Sequence, residues 1–293
     1  MIDLSIIIPH KNSFNTLLRL LNTIPNKESI EVIIVDDNSS SAVVKKLKNI
    51  RCNNNIKIIY SHIGGGAGRA RNIGLDSALG KWIVFADADD YFSHNAFELT
   101  KEFLANKEDI IYFGMNSITK LGNQSYRHLR YMNLIENYLK NKKYENELRF
   151  CFLSPCGKMI KRKLIEKYNI RFEEIISGND NLFSLKAAHN TIKLAATHNI
   201  LYVITETKNS LSTTFSKDHF NSKFNAALEA NKFLCSINQN KYQQSILYFL
   251  FRSYKFGLNY SIYVIKQLIK YRSNIFIGSK KIFNFKQVME RRE

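Results

Sequence analysis

The chain has 293 residues, 45% of them apolar, with only 3 Pro and 12 Gly. That composition suits one large folded domain, or a domain with a substantial appendage, and excludes a disordered or collagen-like chain. The formal charge of +18 is lopsided: residues 241–293 hold seven Lys, four Arg and two Glu, half of the excess.

The N-terminal MIDLSIIIPHKN enters an apolar run without a basic leader region or a small-residue cleavage site, which reads against secretion and predicts a cytoplasmic chain. No window reaches the roughly 20 apolar residues of a membrane span. Cys52, Cys151, Cys156 and Cys235 lack the paired short spacings of a zinc site and are expected to be reduced, structural thiols.

In chain order, LSIIIP (4–9), EVIIVDD (31–37), IKIIYS (56–61) and WIVFADADD (82–90) are short Ile- and Val-rich runs, which read as strands buried on both faces. Helical spacing separates them over Thr16 to Leu21, Ala42 to Leu47 and Ala67 to Leu79. Strand and helix alternating in this way predict a parallel, Rossmann-like α/β sheet. Past residue 108 the pattern is mixed: DIIYFGM resembles another strand, 133–149 a helix, and LAA and ILYVITE late strands. Residues 218–272 then read as helices with aromatics and Lys/Arg interleaved.

Ligands of such sheets bind beyond the carboxyl ends of the strands, so the residues just after each run carry the chemistry. GGGAGRARNIG (64–74) has a glycine spacing like a dinucleotide fingerprint, but it follows the third strand instead of the first, and that reading is rejected. Its glycines still let backbone N–H groups approach a phosphate, with Arg69 or Arg71 adding charge at a helix start. Asp36 and Asp37 suit a ribose or base N–H, and Asp37 or Asn38 equally suits a helix cap. Asp87 and Asp89, spaced D-x-D on a segment expected to be extended, would leave on one side and share a hard divalent cation with substrate phosphates. A capping role needs one carboxylate at each strand end, whereas these two ends carry five.

Taken together, SIIIPHKN, VIIVDDNSS, GGAGRARNIGLDSALGKWIVFADADD and ISGNDNLF resemble the family 2 glycosyltransferases of the GT-A fold, bacterial surface-polysaccharide type. The likeness is dense over 3–92, thinner to about 205 and absent past 215. It implies a GT-A catalytic domain over 1–215, with a nucleotide-binding half (1–92) and an acceptor half (93–215), followed by a basic, aromatic-rich helical region over 216–293. It also implies an inverting, metal-dependent enzyme that moves a sugar from a nucleotide diphosphate sugar, a UDP-sugar by preference, to a glycan or lipid-linked glycan hydroxyl.

Carried over by residue, the resemblance places Pro9, Lys11, Asp36, Asp37, Gly66, Arg71, Asp87 and Ala88 on the nucleotide-sugar, Asp89 on Mn²⁺ or Mg²⁺, and Asp180 as the base that activates the acceptor. Asp90 is left as a structural residue capping the turn toward His94. Two positions depart from the family pattern. Lys11 stands where many relatives have a base-stacking Tyr, and a phosphate contact is expected of it instead; Asn179 replaces a common Glu, removing a like charge beside Asp180. Ser177 or Asn179 could also cap a helix whose first turn holds Asp180. CGKMIKRKLI (156–165) resembles the segment before this base and reads as acceptor floor, with Lys158 either on phosphate or solvated. His189 and His198 have no metal-like spacing and read as ordinary helix and loop residues.

The region 241–293 suits either a helical pair packed on the catalytic domain or a peripheral contact with an anionic membrane surface, where a lipid-linked acceptor would be found. No nucleic-acid-binding module is recognisable. Two other functional readings fit the sequence less well. A sugar-phosphate nucleotidyltransferase needs a glycine-rich signature after the first strand, which PHKNSFN lacks; a non-catalytic GT-A scaffold would take Lys11 and Asn179 as signs of lost activity.

Overall fold

The computed structural model describes residues 1–50, 55–206 and 216–271. Cys52, the expected boundary at 215/216 and the tail from residue 272 lie outside the described residues. The chain divides into two compact units, Met1–Thr213 and Thr214–Glu293.

The first unit runs β1 (Leu4–His10), α1 (Phe14–Leu21), β2 (Ile30–Asp37), α2 (Ser41–Lys48), β3 (Ile56–Ser61), α3 (Gly66–Ser77) and β4 (Trp82–Phe85). It continues with β5 (Tyr91–Phe92), α4 (Ala96–Lys101), β6 (Ile110–Thr119), α5 (Leu129–Lys140), α6 (Glu145–Cys151), β7 (Lys158–Lys161), α7 (Arg162–Lys167), α8 (Asn181–Asn190) and β8 (Leu194–Glu206). The eight strands form one sheet in the order β3-β2-β1-β4-β7-β6-β8-β5.

Ile6, Ile7 and Ile8 of β1 are wholly buried because β1 lies inside the sheet, parallel to β2 on one side and β4 on the other. Truncating one of them to Ala costs about 2–5 kcal/mol. β3 is one of the two edge strands, and its residues are mostly half-buried, so it lacks the two-sided burial its Ile content suggested. Helix 133–149 is two helices, α5 and α6, split by a 3₁₀ turn at Lys142–Tyr144. LAA and ILYVITE join into the single strand β8, parallel to β6 with register shifts near Gly114, and His198 lies in it, not in a loop. β7 runs antiparallel to both β4 and β6. The pairing Trp82↔Lys161 therefore brings the start of β7 toward the carboxyl end of β4, where the acids leave the sheet.

The second unit contains α9 (Lys217–Ser236), α10 (Leu247–Ser253) and α11 (Leu258–Lys270). Phe220, Phe224, Leu228, Phe249, Tyr260, Val264 and Leu268 form its own core. The spacing of Tyr260, Val264 and Leu268 is one buried stripe of α11, and Leu258, Ile262, Ile265 and Ile269 form a second stripe that is exposed. Among the described residues no helix is long and apolar enough to cross a membrane.

Candidate active site

Both β1 and β2 break at an Asn in the left-handed region, Asn12 (φ 53°) and Asn38 (φ 59°). Among residues with a Cβ, Asn tolerates that conformation comparatively well, and it reverses the chain at each strand end. The two turns are bolted together. Ser13 N–H donates to His10 Nε2 (3.2 Å), which leaves Nδ1–H to donate to Asp36 Oδ1 (2.8 Å). Asp36 also accepts from Ser39 N (3.1 Å) and Ser39 Oγ (2.5 Å), while Asn12 N donates to Ser39 Oγ (2.8 Å) and Asn12 Oδ1 accepts from Ser40 N (2.9 Å). Asp36 is 1% exposed, so its carboxylate acts as an internal bolt.

Asp37 accepts from the N–H groups of Gly65 (2.8 Å) and Gly66 (3.1 Å) and from Lys11 Nζ (3.4 Å). It therefore fixes the glycine loop at the start of α3. Neither Asp37 nor Asn38 caps α2, whose N-cap is Ser40. The Lys11 ammonium, half-exposed, lies on Asp37, and Pro9 is half-buried in β1 beside Val35.

At the other strand end β4 stops at Phe85, and Asp87 to Asp90 form a turn closed by Asp90 N–H to Asp87 O (3.0 Å). The extended segment expected for D-x-D is absent, since β4 loses its ladder partner before the acids begin. Neighbours from far along the chain hold the turn. Asp87 N–H donates to Tyr202 Oη (2.7 Å), and the Arg19 guanidinium, over the Tyr91 ring, bonds both Asp89 O and Thr205 Oγ1. Asp90 Oδ1 accepts from Thr205 N (2.7 Å), so Asp90 ties the turn to β8 and does not cap toward His94. Burial, then the charges of Asp87 and Asp89, push Asp90 well above the usual carboxylate range. Asp89 is likewise raised, by burial first and by Asp87 second. Ala88, 6% exposed, sits between them.

Arg71 connects this turn to the Asp180 loop. One guanidinium nitrogen meets Asp87 Oδ1 (2.6 Å), another donates to Asn179 Oδ1 (3.0 Å), and the group lies over the Phe172 ring. The Asn at 179 thus serves as a neutral acceptor for a buried arginine. Gly68 makes the approach feasible: a Cβ there would lie 2.1 Å from Glu173 O. Burial opposes the charge of Arg71, but Asp87 and, further off, Asp180 keep its pKa above the ordinary value.

Asp180 is itself the N-cap position of α8, with no side-chain cap bond, which leaves its carboxylate available. Burial raises its pKa, opposed by Arg71 and Arg130 and reinforced by Asp87. Lys158 is neither solvated nor at a surface: it is 2% exposed, with Nζ donating to Phe152 O (2.6 Å) between the rings of Tyr112 and Phe152. Burial pushes the Cys156 thiol up as well, in keeping with an inert structural cysteine. No disulfide joins Cys151, Cys156 and Cys235.

The structure therefore brings Asp87, Asp89, Arg71 and the Asp180 loop into one connected network, with Asp37 and Lys11 bracing the glycine loop. Arg19, Tyr202, Thr205 and Arg130 also belong to the network, and no motif in the sequence marks them. Arg19 had only its place in the last turn of α1 as a signal, and Tyr202 and Thr205 had none.

A profile of the family described as glycosyl transferase family 2 matches residues 5–169. The poly(ribitol-phosphate) beta-N-acetylglucosaminyltransferase TarS of Staphylococcus aureus (strain Mu50 / ATCC 700699) is 26% identical over 209 residues, covering 69% of this chain and 35% of that protein. The minor teichoic acid biosynthesis protein GgaA of Bacillus subtilis (strain 168) is 34% identical over 152 residues, 46% of this chain and 34% of its own length. The chain thus spans about a third of the length of these relatives. A crystal structure of S. aureus TarS 1-349 in complex with UDP-GlcNAc has the same fold, with a TM-score of 0.67 at 20% identity over 92% of this chain and 81% of that one.

Proposed function

Because the chain belongs to glycosyl transferase family 2, we propose that it transfers a sugar from a UDP-sugar to a hydroxyl of a glycan or lipid-linked glycan in cell-surface polysaccharide synthesis, with inversion. The observation that carries this reading is the single network joining the acidic turn after β4, through Arg71, to the loop that presents Asp180. A UDP-sugar donor is supported by the UDP-GlcNAc bound to the similar TarS structure, and a surface-polymer acceptor by the names of TarS and GgaA.

Asp180 takes the acceptor proton as the hydroxyl attacks the anomeric carbon. Its raised pKa makes it a stronger base than a solvated carboxylate. Arg71 keeps Asp87 and the Asp180 loop at fixed separation, so donor and acceptor sides are positioned before substrate binds. Asp37 and Lys11 hold the glycine loop in shape beside the donor.

A divalent cation fits the acidic turn. Asp89 has its backbone carbonyl pinned by Arg19, and its carboxylate is made costly to ionise by burial and by Asp87, a cost that a nearby cation relieves. An ion of the Mg²⁺ type needs only one or two carboxylates when diphosphate and water supply its other ligands. Held by Asp89, Mn²⁺ or Mg²⁺ would offset charge on the departing UDP.

Peripheral contact with an anionic membrane is the localisation we propose. It is supported by the exposed apolar stripe of α11 and by the absence of any Asp or Glu between Glu229 and Glu290, a stretch rich in Lys and Arg. Retention of the full chain in the supernatant with phosphatidylglycerol vesicles at low salt would count against it. The catalytic reading is tested by screening nucleotide-sugars for Mn²⁺-dependent UDP release; no release from any donor, with or without acceptor glycans, would remove it.

A further inference from the structure

Lys158 is a buried cation that the roles above leave unused. It opens β7 at the end of the sheet where β4 delivers its acids. Among the described residues no carboxylate is within ion-pair distance of its ammonium, whose hydrogen bond goes instead to the Phe152 carbonyl at 2.6 Å. A buried ammonium without a salt-bridge partner is costly, and an apolar residue would fill the space between Tyr112 and Phe152 at lower cost. The position therefore has a use for charge.

Two bonds show where that charge acts. Lys158 holds the first residue of the 152–157 segment, and Ser184 Oγ, in the first turn of α8, donates to the carbonyl of the next residue, Leu153 (2.6 Å). The helix that begins after Asp180 and the floor segment are thus fastened at neighbouring carbonyls. The charge of Asp180 also favours the protonated form of Lys158, and such coupling acts equally in the other direction.

We propose that Lys158 is a positioning residue, its ammonium fastening the 152–157 segment beside α8 and supplying a buried positive charge to the Asp180 carboxylate. The inference rests on Asp180 as the acceptor base. The other groups that bear on Asp180 are Arg71 from α3, Asp87 from the acidic turn, and Arg130 and Tyr131 from α5; Asp180 and Cys156 bear on Lys158.

The test uses the full chain with Lys158→Met and Lys158→Arg, read by the pH dependence of kcat and by the donor KM. Loss of the charge moves the acid limb of kcat to higher pH, by up to about one unit, with donor KM unchanged, and Arg returns the limb toward its original place. A folded Met variant whose acid limb stays put overturns the proposal, whether or not kcat falls.

A second measurement needs no change at Lys158. Burial pulls its pKa down to about 7, so the folded state binds fewer protons than the unfolded one above that pH and stability rises with pH until about 10, the unfolded lysine value. In Asp180→Asn the supporting negative charge is gone, and this rise begins at lower pH than in the wild type. Coincident rises in the two proteins overturn the proposal. Wild-type turnover by Asp180→Asn, by contrast, would remove the base assignment and leave this stability comparison standing.

Discussion

Two strand ends of one sheet carry adjacent acids, and the protein treats them differently. After β2, Asp36 and Asp37 are saturated from within: His10 and Ser39 take the first, Gly65, Gly66 and Lys11 the second. After β4, the backbone of the acidic turn is held by Tyr202, Arg19 and Thr205, while Asp89 has a carboxylate that burial and Asp87 make costly to ionise. Fixing the main chain and leaving a side chain electrostatically unrelieved suits the cation role proposed above for Asp89. Saturating the side chains is the arrangement of a scaffold. Asp180, at the N-cap position of α8 without capping it, belongs with Asp89.

Substitutions can break or sharpen this contrast. The largest effects are expected at the unrelieved acids. Asp180→Asn should lower turnover by roughly 10²–10⁴-fold with UDP affinity retained; undiminished turnover would take Asp180 out of the mechanism. Asp89→Asn should abolish the part of UDP binding that depends on Mn²⁺, and calorimetry giving that variant the same Mn²⁺-dependent gain as wild type would place the cation elsewhere.

Next in size is the scaffold end. Asp36→Ala strands the His10 Nδ1–H and the Ser39 N–H in a buried turn and should cost about 2–3 kcal/mol of stability, read by urea unfolding. A change within a few tenths of a kcal/mol would mean that the bolt is dispensable.

The smallest effect is one of pH. The folded pKa of Asp89 lies above its unfolded value near 3.9. The folded state therefore binds more protons than the unfolded state between those values, and stability falls as pH rises from about 4 through the folded pKa. In EDTA, Asp89→Asn should be the more stable protein at neutral pH, by about 2–4 °C in melting temperature for each kcal/mol relieved, and the two should converge below about pH 4. Equal melting temperatures throughout would contradict the electrostatic cost assigned to Asp89.

Much of the fold was legible in the order of residues. The Ile and Val runs up to Phe85 became β1 to β4 and the spaced apolar stretches became α1 to α3, because burial on two faces and helical periodicity are written locally. Elsewhere the local pattern is shared between structures: 133–149 supports one helix or two, and LAA with ILYVITE two strands or one bulged one. The D-x-D segment was expected to be extended because its apolar lead-in is, yet the turn is dictated by Asp90 reaching Thr205.

The sequence by itself determined the alternating α/β order, the acids at the strand ends and the acid-free basic stretch after Glu229, since each depends on residues that are neighbours in the chain. Only the tertiary structure decided which acids are held by partners from within and which are left without them. The deciding partners lie 26 positions away for His10 and Asp36, 108 for Arg71 and Asn179, and 115 for Asp90 and Thr205. A carboxylate's role depends on what reaches it through space and on how much water is excluded around it, and neither is a property of its own stretch of chain.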